Sequence, residues 1–376
     1  MYLEPCRTIS AIDKAQWDAL IPDNNPFLSH SFFEALEQSG SVGQGTGWDS
    51  FHGCLYDDNK ILRGAMPGYL KSHSYGEYVF DHSWANGYER AGGAYYPKFL
   101  SAVPFTPVPG ARLLTKADDK DAQQALIAGI AGLADKLGLS SAHVNFISQA
   151  DKEAFSGAGW HIRQGVQFHW HNDDYGTFDD FLATLSSRKR KNIRKERTSL
   201  ERHNITFLRL SGGDIKAHHW DRFYHFYLST IEKKWGGAYL TREFFESLGA
   251  SMADKVLLVL AMQDGEAIAG ALNLMNDSCL FGRNWGAVVD IPNLHFETCY
   301  YQAIDHAIET KRSRVEAGAQ GFHKVQRGYV PVITYSAHHI PHEGFSEAVG
   351  RFLMAENKAV LAECEDIRQY SPYRSS

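Results

Sequence analysis

MQDGEAIAGALNLM (262–275), followed by FGRNWGAVVDIPNLHFETCY (281–300), is the stretch whose reading decides the fold. The Asp264-Gly265 pair between two apolar runs predicts a β-hairpin. A third run, Cys279 to Trp285, extends it into an antiparallel meander, and a loop from Gly286 to Asn293 then enters a helix expected over about 294–310. Residues 56–99 have the same order of parts. YDDNKILRGAMPGYL (56–70) has a turn at Asp57-Asp58-Asn59 and then Gly64-Ala65, the counterpart of Gly270-Ala271. DHSWANGYERAGGAYYPKF (81–99) has Trp84 as the counterpart of Trp285, read as the end of an aromatic strand before a Gly-rich loop. The correspondence implies two related modules in tandem and directs the search for function to the cleft between them.

Length agrees with that division, since 376 residues exceed one ordinary core of roughly 150. The boundary is expected near residue 165, giving an N-terminal module 1–165 and a C-terminal module 166–376. Hydrophobic content of 44% and charged content of 22% are those of a globular chain. No apolar run approaches the roughly 20 residues of a spanning helix, and Met1-Tyr2-Leu3-Glu4-Pro5 lacks the basic-then-apolar order of a secretory signal. A cytoplasmic location is therefore expected, with no transmembrane segment. The five cysteines are scattered without a CxxC pair, which argues for reduced thiols rather than a zinc cage or disulfide framework. A net charge of -6 argues against generic binding to DNA.

Outward from the deciding stretch, helices are expected over 119–137 and 218–232, and one long helix opening the second module through Phe178, Phe181, Leu182 and Leu185. Strands are expected at Ala142 to Ile147, Val166 to Trp170, Val256 to Met262, Val315 to Ala319 and Thr334 to Ile340. Helices packed on a mostly antiparallel sheet make the fold class α+β.

Three motifs concentrate the polar chemistry. The first is Ser187-Arg188-Lys189-Arg190-Lys191-Asn192-Ile193-Arg194-Lys195, part of a run with seven Lys or Arg in the ten residues 188–197 and only Glu196 opposing. On a helix, Arg188, Asn192, Lys195 and Ser199 share one face and Lys189, Ile193 and Arg197 a neighbouring one, so cations can face an anion while Ile193 and Leu200 anchor the helix. Fork-shaped guanidinium groups suit phosphate oxygens; the bland alternative is a solvated helix face. The second is Arg283-Asn284-Trp285-Gly286. The third is Arg314-Val315-Glu316-Ala317-Gly318-Ala319-Gln320-Gly321-Phe322-His323-Lys324, which joins a strand-end carboxylate, glycines, an amide and a cation. Its bland alternative is a turn lysine in a salt bridge with a strand-end glutamate.

With these motifs, the order helix, helix, meander, helix, strand resembles the GCN5-related N-acetyltransferase fold. A tandem of two such modules resembles the Fem-type aminoacyltransferases of peptidoglycan synthesis. Glu316 to Gly321 (Glu-Ala-Gly-Ala-Gln-Gly) and Asn25 to His30 (Asn-Pro-Phe-Leu-Ser-His) make the whole chain similar to the FemAB-like peptidoglycan biosynthesis or recognition family. The resemblance implies an acyl- or aminoacyltransferase with an amine acceptor, and an aminoacyl-tRNA or acyl-CoA donor. The acceptor would be a phosphate-bearing small molecule or a peptide, such as a cell-wall precursor. It also implies that Lys324, nearest to the family's lysine element, offsets the charge developing at the attacked carbonyl, a role a fixed ammonium suits. Val325-Gln326-Arg327 separate it from Gly328, a departure from the Fem pattern.

The candidate catalytic residues are thus Lys324, Glu316 and His323. The candidate substrate contacts are Arg188, Lys189, Arg190, Asn192, Arg194, Arg283, Trp285, Gln320 and Tyr301. Transfer to an amine needs two oriented substrates and a route for one proton, for which Glu316, Glu297, His295 and His323 are all candidates. The loop Gly286 to Asn293 lacks the Gln/Arg-x-x-Gly-x-Gly/Ala pattern that meets the CoA pyrophosphate in GCN5-type modules, which weighs against acetyl-CoA. Two rivals remain: an acyl-CoA N-acetyltransferase using the second module alone, and a non-catalytic module binding cell-wall peptides or nucleotide sugars. No metal is expected, because Pro341 breaks the spacing of His338 and His342, and His169-Trp170-His171 has no Cys or carboxylate at ligand spacing.

Overall fold

A computed structural model describes residues 1–232, 237–318 and 321–374. The chain forms two compact units, Met1–Gly165 with Ile333–Ala362, and Val166–Val332 with Glu363–Ser376. The class is α+β, with mostly antiparallel strand pairs and helices around them.

In the first unit, Tyr2–Cys6, His52–Tyr56, Leu62–Met66 and Leu114–Thr115 form a small antiparallel sheet. A second set of strands runs in the order 333–339, Ala142–Ile147, Lys98–Ser101, Tyr69–Lys71 and Trp48–Ser50. The helix Lys120–Lys136 starts where the Asp119 side chain accepts the Ala122 amide hydrogen, and its Leu126, Ile127 and Ile130 complete the core. Asp57-Asp58-Asn59 is a hairpin turn as expected, whereas Trp84 is not on a strand. It lies in the helix His82–Arg90, while Trp285 lies in the strand Cys279–Ala287, so the sequence correspondence ends after the first hairpin. Helical packing of Trp84 and Ala85, both buried, outweighs the aromatic strand-like composition around them.

The second unit is built on the expected meander of Val256–Gln263, Glu266–Met275 and Cys279–Ala287, flanked by Ile205–Leu210 on one side and Arg314–Glu316 on the other. Every residue from Val256 to Ala261 is buried, because helices cover both faces, and such a strand reads as a continuous apolar run rather than an alternation. The helix Ala217–Glu232 packs so closely that a Cβ at Gly286 would stand 1.8 Å from the Phe226 carbonyl oxygen, so only glycine fits there. The opposite face holds the main core, with Trp170, Phe181, Tyr301, Ile304 and Tyr329.

Instead of one long helix opening this unit there are two, Phe178–Thr184 and Ser187–Glu201. The break comes where Leu185 turns extended and bridges to Tyr373. The crossover helix is interrupted too: Leu294–Phe296 leads into a π-helical turn, Glu297–Tyr301, before Gln302–Glu309. That extra residue per turn places Tyr300 and Tyr301 both inward. No helix among the described residues is long and apolar enough to cross a membrane.

Candidate functional site

The strands Cys279–Ala287 and Arg314–Glu316 run parallel only from Cys279 opposite Arg314 to Phe281 opposite Glu316. Beyond that point they part. The first continues along Glu266–Met275, while Ala317 and Gly318 turn to Phe168, giving its carbonyl a hydrogen bond at 3.2 Å and accepting one from its amide at 3.4 Å. A bulge opposite Leu272 and Asn273 leaves Arg283 as the extra residue where the strands diverge.

Glu316 is 1% exposed and faces two guanidinium groups, with Arg314 Nε 3.0 Å from Oε1 and Arg283 Nη2 3.8 Å from Oε2. His169 is opposite it in register, and burial pushes that imidazole down to about 4, so it is neutral. Glu316 thus stands between Arg283 and Arg314 at the divergence.

Lys324 lies on the 3₁₀ turn Phe322–Arg327 and is 4% exposed. Its Nζ donates to the Ala317 oxygen at 2.6 Å and the Gly318 oxygen at 3.3 Å. Among the described residues its third N–H has no partner. Burial lowers the ammonium to about 8. His323, next to it, is exposed, and its Nε2 is 2.9 Å from the Tyr300 hydroxyl. Its ring also packs against His295 and Phe296, and the partial desolvation this brings, with the neighbouring charges of Lys324 and Arg327, holds its pKa below the usual value. His295 in turn packs on Trp285 and lines, with Thr230, Asp290, Ile291 and Leu294, a cavity of about 270 Å³ at the start of the crossover helix.

The basic run is helical, with Ile193 and Leu200 buried beneath it. Arg188, Lys191, Asn192 and Lys195 are exposed, Lys189 and Arg190 half-buried, and the five cations among them make no ion pair with the described residues. Arg194 differs, donating to Asp179 at 2.8 Å on the surface. The far end of the helix is clamped from inside. Glu196 accepts two hydrogen bonds from Arg327, at 2.7 and 3.1 Å, and one from the Tyr301 hydroxyl. Arg197 spans Glu297 and Asp305, and Asn293 donates to Ser199 at 3.1 Å.

The fold thus gathers Lys324, His323, Tyr301 and the end of the basic helix around one 3₁₀ turn. Glu316 and Arg283 sit at the strand divergence, tied to that turn through Lys324 and the carbonyls of residues 317 and 318. Trp285 joins through His295. Arg188, Lys189, Arg190 and Asn192 stand on the first turns of the basic helix, and among the described residues no side-chain hydrogen bond or ion pair ties them to these groups. Gln320 lies outside the described residues. In the sequence Arg327 reads as a spacer and Glu196 as a lone opposing charge, because their pairing links positions 131 apart. Tyr300 carried no local signal either, because only the π-turn brings it to His323.

Residues 8–375 match the FemAB-like family of peptidoglycan biosynthesis/recognition proteins. The chain belongs to that family. No curated protein sequence matches it. Among solved structures, this FemAB-like protein is similar to FemX, with 12% identity, 93% of this chain and 100% of that chain covered and a TM-score of 0.56. It is also similar to L-PGS from Bacillus licheniformis (11%, 86% and 96% covered, TM-score 0.51). A further match is the C-terminal domain of a putative lysylphosphatidylglycerol synthetase from Agrobacterium fabrum (11%, 88% and 92%, TM-score 0.51). At such identities the likeness is one of fold.

Proposed function

We propose that this FemAB-like protein is an N-acyltransferase that moves an aminoacyl group from an ester donor to an amine, at the turn carrying His323 and Lys324. The observation that carries the reading is that a buried ammonium, one of whose N–H groups no described residue takes up, stands beside a neutral, exposed imidazole. Transfer needs both groups. The amine nitrogen attacks the ester carbonyl, and the carbonyl oxygen gains negative charge as the C–N bond forms. His323, held by Tyr300, takes the proton the amine sheds and returns it to the alkoxide leaving oxygen as the C–O bond breaks. Lys324 stabilises the oxyanion through its third N–H, and its poor solvation strengthens the interaction. Glu316 keeps Arg283 and Arg314 in place. Arg188, Lys189, Arg190 and Asn192 offer a cationic face to phosphate groups of the donor or acceptor.

Aminoacyl-tRNA fits this reading better than acyl-CoA. Asp290 lines the cavity at the start of the crossover helix, where a carboxylate would repel a diphosphate. A cytoplasmic site of action and a cell-wall precursor as acceptor belong to the same proposal, supported by the FemAB-like family and by FemX as a structural neighbour. The test is a thermal-shift panel of charged tRNA, CoA thioesters and UDP-linked muropeptides, because a ligand that binds only the folded form raises its melting temperature. Stabilisation by charged but not uncharged tRNA supports the reading; stabilisation by CoA thioesters alone overturns it.

A further inference from the structure

The first unit contains a buried row of ionisable groups that the transfer reaction does not use. Lys71 pairs with Lys98 across adjacent strands, Leu100 with His143, and His143 with His338. Because side chains alternate along each strand, Lys71, Lys98, His143 and His338 share one sheet face, and all four are buried. Like charges placed opposite one another on paired strands destabilise a sheet, and sheet faces under a covering segment are ordinarily apolar.

The anions that compensate are on the cover, not the sheet. Residues 72–81 cross this face, and of their side chains only Ser74, Glu77 and Asp81 are buried, while Tyr75, Tyr78 and Phe80 are 62%, 40% and 57% exposed. The segment is therefore seated by polar groups and carries its aromatic ones outward. Asp81 is firmly held: its Oδ2 accepts from Lys98 and, at 2.6 Å, from the Tyr95 hydroxyl. Next to it, the Phe80 carbonyl accepts from Arg163 at 2.7 Å.

Glu77 is different. Its carboxylate bridges the two lysines, with Oε2 2.8 Å from Lys98 Nζ and Oε1 3.9 Å from Lys71 Nζ. Oε1 is buried without a hydrogen bond. Around it the Tyr75 carbonyl accepts from Trp48 at 3.2 Å and from Lys71 at 3.5 Å, and the Glu77 carbonyl from Asn145 at 3.4 Å, while Ser74 accepts from Lys98 at 2.9 Å and pairs with the Tyr96 hydroxyl at 2.8 Å, so the segment would exchange these bonds for water on lifting. Tyr78 has a φ of 59°, a left-handed conformation unfavourable for a bulky side chain. Burial pushes the Glu77 carboxyl up to about 7 and the Lys71 ammonium down to about 7, so both ions are only weakly favoured in the closed seat.

We propose that Lys71 and Lys98 form a binding site for a small phosphate- or carboxylate-bearing ligand, and that Glu77 occupies it as a built-in surrogate until residues 72–79 lift. The two ammonium groups stay on the sheet, the ligand's anionic oxygens take the place of Oε1 and Oε2, and Asp81 remains with Lys98 and Tyr95. The test uses the full-length chain, with inorganic pyrophosphate and citrate as probes for the two ligand sources. In wild type, saturating probe should raise amide exchange across residues 72–79. Glu77→Gln, which removes the competing charge at constant shape, should bind that probe about tenfold more tightly, since less of the affinity is lost to opening. Adding Lys98→Met should abolish the gain. Response to pyrophosphate alone identifies a phosphate ligand, and response to citrate alone a carboxylate. Exchange unchanged by either probe in wild type overturns the proposal, whether or not the variants fold. Neither readout measures acyl transfer, so this site and the one at Lys324 stand or fall separately.

Discussion

Lys324→Met is expected to leave stability almost unchanged at neutral pH while altering how stability depends on pH. Holding the ammonium in the fold lowers it from its ordinary 10.5 to about 8, which corresponds to about 3 kcal/mol against the charged form. Against that, its hydrogen bonds to the Ala317 and Gly318 carbonyls contribute about 1 kcal/mol each, and the bare carbonyls add a desolvation cost when it is removed. Methionine fills the same volume, so no cavity opens. The terms nearly cancel, and the midpoint of urea unfolding at pH 7 should shift by no more than about 1 kcal/mol equivalent. The sign with pH is definite. Between about 8 and 10.5 the unfolded lysine holds its proton and the folded one does not, so the wild-type protein gains stability as pH rises through that window. The Met variant lacks this gain. Lys71, also lowered by burial, contributes to both proteins, so the difference between the two curves reads Lys324 alone. A loss above about 3 kcal/mol at pH 7, of the kind seen when a buried ion loses its partner, or parallel curves from pH 7 to 11, would refute the reasoning and make Lys324 a structural cation.

Replacing Glu196 with Gln should cost about 3 kcal/mol in a urea melt, since it leaves buried Arg327 without its carboxylate; a change under about 1 kcal/mol would show that the clamp does not hold the basic helix. The triple change Arg188→Ala, Arg190→Ala, Arg194→Ala should leave the melt within about 1–2 kcal/mol while weakening binding of charged tRNA and flattening its salt dependence. Salt dependence equal to wild type would return these residues to a solvated surface. Gly286→Ala should destabilise by about 3 kcal/mol or more, because its Cβ meets the Phe226 backbone; a neutral melt would mean that the helix can move away freely. His323→Gln should slow transfer and remove the acid limb of its pH profile, with little effect on folding. An unchanged limb would exclude His323 as proton acceptor.

The meander was legible because its signals are local: an Asp-Gly turn and apolar runs of strand length. The basic helix was legible for the same reason, from a cation-rich run with Ile193 and Leu200 at helical spacing. What failed needed contacts distant in sequence. Trp84 sits in a strand-like composition, and its helical state is decided by packing on His338 in the fold. The split of the helix after Thr184 depends on Leu185 meeting Tyr373 near the far end of the chain. Residues 333–362 join the first unit although they follow the second in sequence. At the site, Glu316 and Lys324 could be picked out from residues 314–324, but the pairing of Glu316 with Arg283 and Arg314, the Glu196–Arg327 clamp and the Tyr300–His323 contact could not. None has a spacing rule; the first depends on a bulge, the second is a long-range pair and the third depends on a π-turn that no composition marks.

Single-turnover transfer tests the central claim most directly: radiolabelled aminoacyl-tRNA is mixed with an amine-bearing UDP-muropeptide, and base-stable amide product is followed for wild type and Lys324→Met. The account predicts amide product from wild type, and from the Met variant a rate about 100-fold lower or less still, with donor affinity within about threefold, as when an oxyanion partner is lost. Full turnover by the Met variant, or no amide from wild type with any charged tRNA, would contradict it.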